Sequence, residues 1–188
     1  MDNQKKKELL TTAIRAALNA GKAINEVYKS ADFEVEQKED ETPLTLADRK
    51  AHDVIKTYLE KTDIPILSEE GGDIAYTDRV NWPFFWLVDP LDGTKEFIKK
   101  NGEFTVNIAL VEEGNPILGV VYAPYVEDLY FGEKDFGAYK VENLKDTEGN
   151  FNDLNDLMKR GINLPKSEHR EKLVVVASRS HLNEDTQA

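Results

Sequence analysis

Asp89 and Asp92 are separated by two residues within the run Trp86-Leu87-Val88-Asp89-Pro90-Leu91-Asp92-Gly93-Thr94-Lys95-Glu96-Phe97. An aromatic and aliphatic stretch reads as a buried strand that delivers Asp89 at its end, where Pro90 blocks further pairing. Asp92 then returns, so that both carboxylates can converge on one point. Gly93 permits close backbone approach. Thr94 opens a short helix whose first N–H groups would face an anion. Oxygen ligands with no His or Cys among them favour Mg²⁺ or Mn²⁺ over zinc. Paired metals on a phosphate are the chemistry such a set suits best. As spacing alone the pattern is weak, because a hairpin turn at Asp92-Gly93 with Asp89 as a surface charge also explains it.

Other residues carry weaker signals of their own. Glu69 lies in the acidic, glycine-rich loop Ser68-Glu69-Glu70-Gly71-Gly72, and by itself reads as a solvated charge. In Thr45-Leu46-Ala47-Asp48 an acidic residue follows a hydroxyl residue by three positions, the pattern of a helix-capping box. His52 reads as packing or surface, and His169 and His181 sit in polar segments without an evident partner. Lys95 and Glu96 are adjacent, so a helix sends them to different sides. Trp82, Phe84, Phe85 and Trp86 read as core rather than as a base-stacking platform.

These groups need a frame. Leu9, Leu10, Ala13, Ile14, Ala17, Leu18, Ile24 and Val27 recur at helical spacing and predict an amphipathic helix over 5–29. Residues 33–37 alternate as a short strand, and a second helix begins near Thr45 with Leu46, Ala47, Ala51, Val54, Ile55, Tyr58 and Leu59 on its buried side. A short buried strand over 64–67 leads into the Ser68 loop, and a polar insertion follows it. The aromatic strand 83–88 then stops at Asp89-Pro90, and a short helix runs to Lys100. Residues 104–111 and 117–122 pair around Glu113-Gly114-Asn115, and 128–132 and 136–141 repeat that pattern. The stretch 143–165 is polar, with a short helix suggested by Leu154, Leu157 and Met158. Leu173 to Ala177 is a further apolar strand. Two helices followed by a mainly antiparallel run of strands predict an α+β layered fold.

Bulk properties narrow the function. The 188 residues carry a formal net charge of -12, which repels a phosphate backbone and argues against binding nucleic-acid polymers. An anionic substrate would depend on a local positive centre. Without cysteine, disulfides, zinc–thiolate sites and thiol nucleophiles are excluded. No apolar run is long enough for a transmembrane segment. The expectation is a soluble cytoplasmic protein, with peripheral membrane association left open.

The longer string adds what the spacing lacks. Asp89-Pro90-Leu91-Asp92-Gly93-Thr94 after an aromatic-aliphatic strand resembles the signature of the inositol-monophosphatase superfamily. The continuation through Lys95-Glu96-Phe97-Ile98, then Asn101 to Leu110 and Ile117 to Pro124, resembles the 3'(2'),5'-bisphosphate nucleotidases of CysQ type. The resemblance runs from the first helix to about His181. It implies a layered α/β sandwich with two N-terminal helices on a mainly antiparallel sheet. The activity it implies is magnesium-dependent hydrolysis of adenosine 3',5'-bisphosphate to AMP and phosphate. The alternatives are an inositol monophosphatase-like sugar phosphatase, or a catalytically silent metal- or phosphate-binding fragment.

The same resemblance implies the roles. Glu69, Asp89, Asp92 and the carbonyl of Leu91 would bind metal, with two or three Mg²⁺ ions in a complete site. Asp48 would hydrogen-bond Thr94, and the two would polarise the attacking water. Amides of Gly93 and Thr94 would hold phosphate oxygens. One departure stands out: the downstream Trp-Asp motif that completes the family's metal cluster has no counterpart after Leu173. The expected organisation is therefore a metal-binding phosphatase domain over 1–142, a connector or insertion over 143–171, and over 172–188 the start of a truncated C-terminal domain. In that reading Leu173 to Ala177 is an orphan strand, an exposed edge through which the chain could self-associate.

Overall fold

The computed structural model describes residues 1–30, 34–37, 43–144 and 153–165. The long helix α1 (Asn3–Lys29) starts where the Asp2 carboxylate accepts from the Lys5 N–H at 2.7 Å. Its apolar stripe, from Leu9 and Leu10 through Ile14 and Leu18 to Ile24, is buried along its length. A fully buried aliphatic side chain of this kind contributes about 1.5–3 kcal/mol. Small residues set how close the helix comes to the sheet. A Cβ at Gly21 would lie 2.4 Å from the Tyr122 ring, so only glycine allows this approach. The second helix, α2 (Leu46–Leu59), packs beside α1 and also covers part of the sheet.

Before α2, the two-residue strands β1 (Glu36–Gln37) and β2 (Pro43–Leu44) pair antiparallel. The main sheet takes its seven strands in chain order: β3 (Ile66–Ser68), β4 (Phe84–Asp92), β5 (Thr105–Glu112), β6 (Asn115–Ala123), β7 (Asp128–Glu133), β8 (Gly137–Val141) and β9 (Ile162–Leu164). Only β3 and β4 run parallel among the described strands, and every other neighbouring pair is antiparallel. Short helices α3 (Tyr76–Arg79), α4 (Thr94–Ile98) and α5 (Leu154–Arg160) punctuate the connections. The β5–β6 turn has positive φ at both Glu113 and Gly114, the geometry of a tight hairpin.

Alternation along the strands separates two faces. Trp86, Val88, Val106, Ile108, Leu110, Val120, Tyr122 and Phe131 point to the helices and form the core. The Trp86 indole N–H finds Thr62 Oγ1 at 2.9 Å, so the largest core side chain leaves no polar atom stranded. Tyr28, Phe97 and Phe104 pack together with ring centroids 5.0–5.2 Å apart and fix α4 against α1. Leu87, Asp89, Asn107, Ala109 and Val121 lie on the other face, bordering a hollow of about 710 Å³.

The structure departs from the sequence reading in four places. The strand bearing Asp89 does not stop at Asp89-Pro90. It continues to Asp92 through an irregularity in register, because a proline is tolerated where the ladder is already broken. Of the expected strand over 33–37, residue 33 lies outside the described residues and Glu36–Gln37 form the strand, paired with a β2 that alternation over two residues could not reveal. The polar insertion contains α3, and β9 adds a strand to β8. The apolar run Leu173 to Ala177 lies outside the described residues.

Candidate active site

The bulge in β4 decides the geometry. Residues three apart on a regular strand point to opposite faces, because side chains alternate with period two. Here Asp89 pairs with Asn107 and Asp92 pairs with Thr105, so three steps on β4 match two on β5. The extra residue cancels the odd spacing and brings Asp92 to the face that carries Asp89 and Asn107. Leu91 N–H donates to Asp89 Oδ1 at 3.2 Å and tightens the bulge. Gly93 follows with φ of 93°, and a Cβ there would meet the Glu103 carbonyl oxygen at 2.8 Å. Glycine is required on both counts.

Thr94 stands one residue on, at the head of α4. Its Oγ1 donates to Asp48 Oδ1 at 3.1 Å and also lies 3.3 Å from the Leu91 carbonyl. Asp48 is only 2% exposed. Its other oxygen accepts from Thr45 N–H at 2.8 Å and from the Thr45 hydroxyl, while Thr45 Oγ1 accepts from the N–H groups of Ala47 and Asp48. The capping box and the Thr94 contact therefore coexist in one side chain. Burial pushes the Asp48 carboxyl above its ordinary range, hydrogen bonds from Thr45 and Thr94 oppose that shift, and the Glu70 charge adds to it.

The parallel β3–β4 pairing brings in the third carboxylate. The ladder extends through Glu69 N–H to the Val88 carbonyl at 3.0 Å, which sets Glu69 beside Asp89. Burial raises the Asp89 carboxyl to about 7, and the like charges of Glu69 and then Asp92 push the same way. Only oxygen donors gather here, which is the chemistry of a hard divalent cation. Among the described residues, no group of three or more His, Asp or Glu side chains is already closed around a common point. Asp92 is exposed and Asp89 partly so.

Two contributors escaped the sequence reading. His52, read as packing or surface, makes a 2.9 Å hydrogen bond through Nδ1 to Ser68 Oγ, which in turn lies 3.4 Å from Glu70 N–H. It thereby braces the loop that carries Glu69. Asn107 donates from Nδ2 to Asp92 Oδ2 at 3.1 Å. The signal for it was a polar amide inside a largely apolar strand. Trp86 is buried as expected, while Trp82 and Phe85 pack against each other with centroids 6.2 Å apart. His169 and His181 lie outside the described residues.

Helices layered on one face of a mixed sheet, with oxygen-donor side chains gathered at the ends of β3 and β4, define an α+β protein built around an acidic site. The sequence profile of the inositol monophosphatase family matches residues 5–187, and the chain belongs to that family. It is 53% identical over 137 residues to the 3'(2'),5'-bisphosphate nucleotidase CysQ of Salmonella typhimurium, which covers 71% of this chain and 55% of that protein. The CysQ of Buchnera aphidicola is 43% identical over 183 residues, covering 95% of this chain and 62% of its own length. The crystal structure of CysQ from Bacteroides thetaiotaomicron superposes with a TM-score of 0.86 at 45% identity, across 96% of this chain and 66% of that one. This chain thus spans between about half and two thirds of the relatives it matches. The family and fold implied by Asp89 to Ile98 agree with these matches. No helix among the described residues is long and apolar enough to cross a membrane.

Proposed function

We propose that this chain carries the metal-binding part of a magnesium-dependent phosphomonoesterase that releases phosphate from adenosine 3',5'-bisphosphate and leaves AMP. The observation that carries the reading is the Asp89 carboxyl crowded by Glu69 and Asp92, next to a buried Asp48–Thr94 pair. Such crowding costs stability unless a cation relieves it. The similarity to nucleotidases of CysQ type supports the choice of substrate class.

Glu69, Asp89, Asp92 and the Leu91 carbonyl are the groups assigned to Mg²⁺. When bound, the metal would polarise the phosphoryl oxygens and acidify the attacking water. Asp48 is too buried to meet that water directly, so Thr94 would act between them. As the water oxygen bonds to phosphorus, its proton would pass to Thr94 Oγ1, while the Thr94 hydroxyl proton passes to Asp48 Oδ1. The ester bond breaks on the far side, and the leaving ribose oxygen takes a proton from solvent. Burial favours the step, because a carboxylate raised above its ordinary range is a stronger base. The N–H groups of Gly93 and Thr94 are assigned to the phosphate oxygens.

Phosphate release from adenosine 3',5'-bisphosphate, with and without magnesium, tests this on the chain and its Asp89→Asn variant. Magnesium-dependent release that falls at least about 100-fold in the variant is the expected result. A second reading, a metal- or phosphate-binding module without turnover, draws on the chain spanning 55% of the Salmonella typhimurium nucleotidase it matches. Magnesium binding without single-turnover release at stoichiometric protein would favour that reading. Robust release by Asp89→Asn would overturn the first.

A further inference from the structure

We infer that Asn107 is a positioning residue, whose side-chain amide fixes the Asp92 carboxylate in the orientation that a divalent cation requires. The inference rests on Asp92 serving as a metal ligand. Asn107 stands directly across from Asp89 in the β4–β5 register, yet its hydrogen bond goes to Asp92. The Asn107 backbone thus pairs with one carboxylate-bearing residue of the bulge while its side chain holds the other.

The amide has only one workable orientation. An ionised carboxylate is acceptor-only, so the NH₂ end must face Asp92 and the carbonyl end must face away. Thr105, two residues back on the same face, donates from Oγ1 to Asn107 Oδ1 at 3.1 Å and holds that carbonyl. The result is a directed chain from Thr105 hydroxyl to Asn107 amide to Asp92 Oδ2. With Oδ2 held, Oδ1 is the oxygen that Asp92 would offer to a cation. This matters because Asp92 is exposed and follows a bulge, where an unsupported side chain would sample several rotamers. Ordering it beforehand lowers the entropy lost when a cation binds. Asn107 is neutral, so it performs this task without the competition an arginine or lysine would bring to a cation site. It also adds no further negative charge beside Asp89.

Manganese, a spectroscopic stand-in for a hard divalent cation, gives a readout independent of turnover. Its affinity is measured by electron paramagnetic resonance on the full chain and four variants: Asn107→Leu, Thr105→Val, Asp92→Asn, and the double variant Asp92→Asn/Asn107→Leu. Asn107→Leu keeps the size and removes the donor. The expected result is affinity about tenfold weaker, the lower end of what loss of an outer-shell partner does. Thr105→Val leaves the amide in place but frees it to rotate, and a loss of roughly threefold is expected. In the Asp92→Asn background, Asn107→Leu should cause no further loss, which a general structural defect would not reproduce.

If Asp92→Asn weakens manganese binding while both Asn107→Leu and Thr105→Val leave it unchanged, the inference is overturned and the ligand role of Asp92 stands. An equal loss from Asn107→Leu with and without Asp92 also overturns it, since Asn107 would then act elsewhere. If Asp92→Asn leaves manganese affinity intact, the ligand assignment and the inference fall together. Should Asn107→Leu not fold, Thr105→Val decides alone.

Discussion

Asp48 is a buried carboxylate and Asp89 a half-buried one, both within a few residues of Thr94 in space or in sequence, yet hydrogen-bond donors dominate around the first and like charges around the second. Burial raises both. Around Asp48, donors from Thr45 and Thr94 counter the rise, and its two oxygens are satisfied within the chain. Around Asp89, Glu69 and Asp92 compound the rise, and Leu91 N–H is the donor that opposes it. The floor of the site is a finished piece of protein structure. At its rim the like charges of Glu69 and Asp92 press on Asp89, so crowding among carboxylates is part of the folded geometry.

That contrast breaks most readily at the floor. Asp48→Ala removes the half of the capping box that the Asp48 side chain makes, and leaves Thr45 N–H, the Thr45 hydroxyl and Thr94 Oγ1 without their buried acceptor. Urea denaturation should show a loss of about 3 kcal/mol. A loss below about 1 kcal/mol would mean that the floor is not structural and that Asp48 is held there for chemistry alone. At the rim, Gly93→Ala should cost about 2 kcal/mol, because the new Cβ meets a backbone oxygen at a φ that L residues avoid. Unchanged stability would show a rim that adapts, and would undo the claim that the bulge is fixed.

The pH dependence sharpens the comparison with the smallest effect. The folded-state value for Asp89 is about 7, against an ordinary 3.8, so the folded protein holds more protons than the unfolded chain between those values. Stability therefore falls as pH rises through that window. Metal-free protein should melt higher at pH 5 than at pH 8. Asp89→Asn should remove part of that slope, worth on the order of 1 kcal/mol once solvent screening is allowed for. Magnesium added at pH 8 should restore stability in the unsubstituted chain and not in Asp89→Asn. A melting temperature at pH 8 that Asp89→Asn leaves unchanged would show the rim to be no more burdened than the floor.

Much of this was legible in the residues. The stripe from Leu9 to Val27, the Thr45–Asp48 capping pattern and the Glu113-Gly114 turn are local codes, read within a few positions. The family signature supplied the residues of the site. What stayed hidden depended on pairs distant in sequence. Asp89-Pro90 reads locally as a strand end, and only the β5 register shows that the strand continues past it. Asn107 looked like one polar residue on a half-buried strand, and its partner Asp92 lies on another. His52 showed only its helix, and its hydrogen bond to Ser68 depends on how α2 crosses β3. Residues 33–37 and 43–44 are too short for alternation to speak.

The parallel pairing of β3 against β4, the lone one among the described strands, bears on how the site comes together during folding. The strands from β4 to β8 form a meander, joined by short turns from β5 onward and by the short helix α4 between β4 and β5, and its contacts close small loops at little entropic cost. Asp89, Asp92 and Asn107 all belong to its first hairpin and can find one another early. Glu69 and Asp48 come from segments that must close longer loops, one along a three-residue strand and one through helix docking. Asp92 crowds Asp89 as soon as β4 and β5 pair, whereas the Glu69 charge arrives only with the longer closure that docks β3.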